Sequence, residues 1–277
     1  RFTFAASPVS ELELRGPETL ERLRSELAGV GSTETTDPLP SGHGYFVMLN
    51  YDLFRHLEPT AISDCPPIDD RDWPDAVLLR CEGGILQTDD AMTICGDPAV
   101  VPAVTPRRLP RPKIGPLRGD LHADEYRRGV ERVIEHVHAG DCFQANLAQR
   151  FGADFNGSIR SLAATAFEAA APRYGAVLEC GSGRSIVSLS PELFMESRPG
   201  PDGVGVRTRP IKGTRPSDRT VDELAASEKD AAELNMIIDL MRNDLGRVCR
   251  IGSIEVSQPR SIETHPTVHH GIAEVSG

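Results

Sequence analysis

The chain lacks an apolar run long enough to span a bilayer, and no signal-peptide pattern opens it, so no membrane role is expected. Its six cysteines, Cys65, Cys81, Cys95, Cys142, Cys180 and Cys249, never fall in Cys-x-x-Cys spacing, which excludes a zinc ribbon or redox motif of that kind. Free thiols in a reducing cytoplasm are the simplest reading. Positive charge is in deficit: 30 Lys and Arg face 41 Asp and Glu, for a net charge of -11. A nucleic-acid surface needs clustered cations and is not expected, whereas a local basic pocket for a small anion is compatible with this balance. No Gly-x4-Gly-Lys phosphate loop and no internal repeat occur.

What is present is ordinary for a globular enzyme: 277 residues, 39% hydrophobic and 26% charged, enough for one large domain or two small ones. Pro17 to Val30 has Leu20, Leu23 and Leu27 at helical spacing, and Tyr45 to Leu49 reads as a buried strand. Ala76 to Cys81 and Ile85 to Gln87 flank Glu82-Gly83-Gly84, the pattern of a hairpin. Six prolines between Gly96 and Arg118 mark a linker or extended crossing segment.

A second helix carries Tyr126, Val130, Val133, Ile134 and Val137 on one stripe and stops at Gly140. Phe143 to Phe151 alternates as a strand, and Ile159 to Ala170 is an Ala-rich helix. An antiparallel meander is expected from Gly175–Cys180, Ser185–Leu189, Leu193–Ser197 and Val204–Arg209. The longest helix should run from about Thr220 to Leu245, opened by Thr220 and Glu223 at capping-box spacing. Strands near Ser253–Val256 and Val268–Val275 follow. This mixed order favours α+β over a doubly wound sheet.

Four places hold residues fit for chemistry. Lys212, in Pro210-Ile211-Lys212-Gly213-Thr214, follows Arg207 and Arg209 and precedes Arg215. Neighbouring cations and burial disfavour a charged ammonium and free the amine as a nucleophile; the alternative is a basic surface turn. Glu192, after Ser190-Pro191, stands at a strand end, where a carboxyl can act as a general acid or simply face water. Asp230 and Glu233 lie one turn apart on the long helix, and magnesium often takes one or two such carboxylates, although helix charges are commonly a solvated face. His269 and His270 are adjacent on a strand, so they point to opposite faces and only one can enter a given cleft.

Taken together, these blocks resemble the chorismate-utilising enzymes. From Tyr126 onward they appear in the family's order: Gly140 to Phe151, Ser188-Leu189-Ser190-Pro191-Glu192, Thr208 to Pro216, Lys229-Asp230-Ala231-Ala232-Glu233, Met236 to Arg247, and Val268-His269-His270. The N-terminal match, Arg1 to Pro8, is weaker. Two positions resemble the aminating, lysine-bearing branch typified by aminodeoxychorismate synthases. Anthranilate synthases typically have Ala at the place of Lys212, and isochorismate and salicylate synthases place a water-activating lysine where Gln144 stands.

The resemblance implies a two-sheet antiparallel α+β sandwich with surrounding helices, divided into an N-terminal synthase region (1–97), the Pro-rich segment (98–118) and the chorismate-binding region (119–277). It implies amination of chorismate to 4-amino-4-deoxychorismate on the route to para-aminobenzoate and folate. Lys212 would be the nucleophile, Glu192 the general acid and His270 a further catalytic group. Gly213 and Thr214 would contact substrate, and Glu233 would help hold Mg2+. Ammonia would come from a glutamine amidotransferase subunit. The rival within the family is anthranilate synthase component I or another chorismate enzyme; the rival from another class is a binding or regulatory protein. Arg1 is not Met and Gly277 ends no capped element, so both ends read as open, and the polypeptide alone is expected to show no turnover.

Overall fold

A computed structural model describes residues 2–28, 42–61, 69–101, 109–200 and 203–277. The chain forms two compact units, one of Arg1–Pro106 with Ala169–Gly277 and one of Arg107–Glu168.

The larger unit begins with β1 (Phe2–Ala6), β2 (Ser10–Leu14), α1 (Thr19–Ala28), β3 (Gly44–Leu49), the single turn α2 (Phe54–Leu57), β4 (Ala76–Cys81), β5 (Gly83–Thr88) and β6 (Met92–Gly96). They make two three-stranded antiparallel sheets, ordered β2-β4-β3 and β1-β5-β6. The alternation of β4 explains its central place. Ala76 and Leu78 pack with Leu14, Leu12, Leu23 and Tyr45, while Val77 and Leu79 pack with Cys180, Met48, Trp73 and Leu178. Both faces are thus buried.

Two expectations change here. β4 and β5 do not pair as a hairpin; the chain passes from one sheet to the other at Glu82. The glycines that suggested a turn serve close approach instead. A Cβ on Gly83 would lie 2.3 Å from the Asp97 carbonyl oxygen, and one on Gly84 would lie 2.5 Å from the Phe4 ring. β3 forms as expected but at a sheet edge, with Phe46, Val47 and Leu49 exposed rather than buried.

The smaller unit holds β7 (Lys113–Ile114), β8 (Arg118–Gly119), α3 (Ala123–Ala139), β9 (Phe151–Gly152), β10 (Phe155–Asn156) and α4 (Ile159–Ala170). β7 pairs with β10 and β8 with β9. The Glu125 carboxylate accepts the His122 amide at the start of α3, and Gly140, at φ 82, ends it. The strand expected over Phe143–Phe151 does not form beyond Phe151–Gly152. A period-2 pattern needs a partner edge, and only Arg118–Gly119 offers one among the described residues of this unit. Instead Leu147 lies against Gly129 of α3, where a Cβ would meet its Cδ2 at 3.1 Å. The Pro-rich stretch falls partly outside the described residues.

The remainder of the larger unit comprises β11 (Tyr174–Glu179), β12 (Ser185–Ser190), β13 (Leu193–Gly200), β14 (Gly203–Arg209), β15 (Ile211–Pro216), α5 (Val221–Ala225), α6 (Glu228–Gly246), β16 (Glu255–Thr264) and β17 (Val268–Ser276). The expected meander is split. β11 and β12 pair as one hairpin, and β13 and β14 join a separate five-stranded sheet. Pro191, which has no amide hydrogen, sits at the division, and the Ser190 hydroxyl accepts the Glu192 amide across it at 3.3 Å.

β17 is the spine of the five-stranded sheet. β16 pairs along one edge, and β14 then β15 pair along the other. Ala273 and Val275 of β17 pack against Leu234, Ile238 and Leu245 of α6 to form this sheet's core. The single helix expected from Thr220 to Leu245 is two helices. Ser227 caps α6 by accepting the Asp230 amide, whereas the Thr220 side chain makes no cap bond. Arg260 on β16 donates to the Leu224 and Ser227 carbonyl oxygens at 2.6 and 3.3 Å, a side-chain donor added to carbonyls that already accept the Ser227 and Ala231 amides.

Candidate active site

Pro210 separates β14 from β15, and the segment after it carries the chemistry. The ladder between β15 and β17 is in register at Ile211↔Ile272, shifts, and resumes at Thr214↔His270, so Lys212 and Gly213 form a bulge. A bulge re-aims side chains and relaxes strand pairing locally. Two glycines permit it. Gly213 has φ 84, and a Cβ there would lie 2.8 Å from Asp230 Cβ and Leu224 Cδ1. A Cβ on Gly271 would come within 2.5 Å of the Lys212 carbonyl oxygen. The backbone at Lys212 is therefore clasped between α5 and α6 on one side and β17 on the other.

Glu192 reaches this segment from the β12–β13 crossing. Its Oε1 accepts the Ile211 amide at 2.9 Å. β13 begins its pairing at Leu193↔Arg209, so the carboxylate continues the row of acceptors one step past the end of the ladder. The side chain is thereby fixed beside the residue that precedes Lys212.

The two histidines divide as the strand period requires. His269 is buried, with Nδ1 bonded to the Thr264 hydroxyl at 2.9 Å and Nε2 to the Arg219 carbonyl at 3.1 Å, a wholly structural set of partners. His270 lies on the other face, with Nδ1 2.9 Å from the Thr214 hydroxyl. Burial, then the neighbouring His265, push its imidazole below the ordinary histidine value, with Glu263 opposing.

The cations around Lys212 do not act as expected. Arg207 is bound to Glu196, Arg209 donates to Glu263 at 2.5 Å, and Arg215 donates to Asp230 at 2.8 Å. Each flanking charge is neutralised by a carboxylate, so the sequence's row of arginines is a set of ion pairs rather than a positive field. The partners were invisible because Glu196, Glu263 and Asp230 lie on other elements.

Asp230 heads the buried stripe of α6, where the hydroxyl of Ser227 and then the charge of Arg215 outweigh burial and hold its carboxyl below the usual range. Glu233 is the more open of the two acids, with Lys229 Nζ at 3.5 Å. Among the described residues no group of three or more His, Cys, Asp or Glu side chains is arranged to hold a metal ion. Gln144 belongs to the smaller unit and is exposed in its irregular segment.

Mixed α/β structure with several antiparallel sheets and helices is the fold that this chain shares with solved structures. It superposes along its whole length on 68% of anthranilate synthase component I from Streptococcus pneumoniae TIGR4, with a TM-score of 0.80 at 22% identity. The family described as chorismate binding enzyme matches residues 2–277, and the chain belongs to it. Among curated relatives, aminodeoxychorismate synthase component 1 of Klebsiella aerogenes is 40% identical over 159 residues, covering 55% of this chain and 34% of the relative. Anthranilate synthase component 1 of Streptomyces coelicolor is 31% identical over 318 residues, covering 100% of this chain and 60% of the relative. The chain thus spans between a third and three fifths of the length of these relatives.

Proposed function

We propose that the chain provides the lysine-bearing part of an enzyme that aminates chorismate to 4-amino-4-deoxychorismate, in the cytoplasm and toward para-aminobenzoate and folate. The observation that carries this reading is the bond between Glu192 and the Ile211 amide, which fixes a carboxyl beside the bulge bearing Lys212. A nucleophile and a proton donor held beside each other are what expulsion of an allylic hydroxyl requires.

In the proposed sequence, the Lys212 amine bonds to the ring carbon next to the carboxylate. Both conjugated ring double bonds shift by one position, and the bond from the para carbon to its hydroxyl breaks. The hydroxyl leaves as water with the proton from Glu192. Ammonia from a glutamine amidotransferase partner then bonds to the vacated carbon, both double bonds return, and the lysine nitrogen departs with the electron pair of its bond to the ring. Gly213 and Thr214 would line the substrate, and the His270 nitrogen not engaged by Thr214 would serve as a hydrogen-bond partner.

Mg2+ fits this site only as a substrate-assisted ion. A single open carboxylate, Glu233, is a donor set that magnesium uses together with water and anionic substrate oxygens. When bound, the ion would neutralise the substrate carboxylate.

The test is product identification with the intact protein, chorismate and ammonia. A product that retains the pyruvyl ether and gains the amino group supports the proposal. Anthranilate, the product suggested by the name of the Streptomyces coelicolor relative that covers the whole chain, would replace it with the second reading. Lys212→Ala should abolish the amination.

A further inference from the structure

His265 has no assigned task, yet it carries one of the buried side-chain nitrogens without a hydrogen-bond partner among the described residues. It follows β16 directly, and its side chain is 10% exposed. Its Nε2 is buried without a hydrogen-bond partner among the described residues, and the closest charged group is Glu263 Oε2 at 3.8 Å. Its ring meets that of His270 edge-on, with centroids 5.4 Å apart and planes at 63°. A buried ring nitrogen without a partner is seldom kept for packing alone, since an apolar ring would fill the same space without the desolvation cost.

Behind His265 stands an anchored carboxylate. Glu263 takes bonds of 2.5 Å from both Arg173 and Arg209, and Arg209 also contacts Glu274 at 3.3 Å and the Tyr174 hydroxyl at 3.4 Å. Glu263 is also the β16 residue directly opposite His270 in the ladder. His270 is therefore faced from β16 by Glu263 and His265. From β15 it is faced by the Thr214 hydroxyl, whereas Arg215 lies opposite His269 and gives its charge to Asp230 of α6. The bulge at Lys212 lies two residues before Thr214.

We propose that His265 is a positioning residue for the amination: packed edge-on against His270 and backed by Glu263, it keeps His270 a neutral imidazole with one ring nitrogen held by Thr214 and the other presented to substrate. With the rings 5.4 Å apart, a positive charge at His265 opposes one at His270. Two-sided control follows from the geometry: His265 disfavours a charge on His270, and Glu263 favours one. The inference rests on the reading of His270 as a site residue.

The experiment is a histidine titration by NMR on the intact protein labelled with ring 13C-histidine, the His270 signal being assigned by its loss in His270→Asn. His265→Phe keeps a packed ring and removes the competing charge, so the His270 midpoint should rise. Glu263→Gln should move it the opposite way. A His270 midpoint unmoved by His265→Phe overturns the coupling; His265→Asn gives the same reading if the Phe variant does not fold. The second arm follows kcat/KM for ammonia-dependent amination against pH. Its acid limb should move with the NMR midpoint while saturating kcat changes little. A limb that stays in place while the midpoint moves overturns the positioning role. Absence of amination by the wild type would sink the functional reading but leave the NMR outcome standing.

Discussion

Glu192 and Ile211 are joined where the β13–β14 ladder ends, the carboxylate accepting at 2.9 Å the amide that a strand carbonyl would otherwise receive. The same carboxyl is thereby a structural acceptor and the candidate proton donor. These roles separate by substitution. Glu192→Gln retains an oxygen for the Ile211 amide but holds no acidic proton, so folding should persist while kcat falls about 10²- to 10⁴-fold. Glu192→Ala should lose the same activity and also destabilise the protein, by about 1 kcal/mol for the unmade bond. Melting temperature and kcat measured on both variants check the distinction. Equal stability of the two would remove the structural half of the argument.

The bulge itself depends on two missing side chains. Gly213→Ala places a methyl 2.8 Å from Asp230 and Leu224 at a φ of 84, and Gly271→Ala drives one into the Lys212 carbonyl at 2.5 Å. Each should cost about 1 to 3 kcal/mol of stability and lower activity more than stability alone explains. Chemical denaturation with activity at a temperature where both variants remain folded provides the comparison. The Gly271 variant is the sharper probe, because it touches the Lys212 backbone without touching any proposed reacting group.

Elements governed by local pattern were readable in the sequence. The helices at Thr19–Ala28, Ala123–Ala139 and Ile159–Ala170 follow from spacing and from Gly140, and β4 from its apolar run. Features set by distant partners were not. The glycines at 83 and 84 resemble a turn, yet their role comes from Asp97 and Phe4. Likewise, Arg207, Arg209 and Arg215 resemble a cationic field until Glu196, Glu263 and Asp230 are brought to them. In the site, the division of labour between His269 and His270 follows from strand period alone. His265 carried no such signal, since only the pairing of β16 with β17 sets it beside His270.

The ion pairs fix the sign of the acid response. Burial alone would raise the Glu263 carboxyl, but Arg209 and then Arg173 outweigh it and hold the group below its ordinary 4.5. A carboxyl depressed in the folded state contributes stability above its unfolded value, and that contribution is lost as pH falls through the folded one. The protein should therefore lose stability progressively below about pH 4.5. Glu263→Gln should be less stable near neutrality yet show a flatter decline in acid. Urea unfolding midpoints from pH 3 to pH 7 would show it, and parallel curves for the two proteins would contradict the pairing.

The break between α5 and α6 gives a prediction whose sign depends on the fold. In an unbroken helix Ser227 would be an interior residue, and Ser227→Ala would stabilise slightly, because alanine has the higher helix propensity. As the cap of α6, with its side chain accepting the Asp230 amide at 3.3 Å, the same change should destabilise by about 1 kcal/mol. Asp230 also binds Arg215 beneath Gly213, so fraying of the first turn should loosen the bulge and reduce activity in parallel. Arg260→Ala, which removes the donor to the Leu224 and Ser227 carbonyls, should act in the same direction, and the two effects should not add because both report on one junction. A double-mutant cycle on stability decides it: additive losses would mean that the cap and the arginine act on separate features.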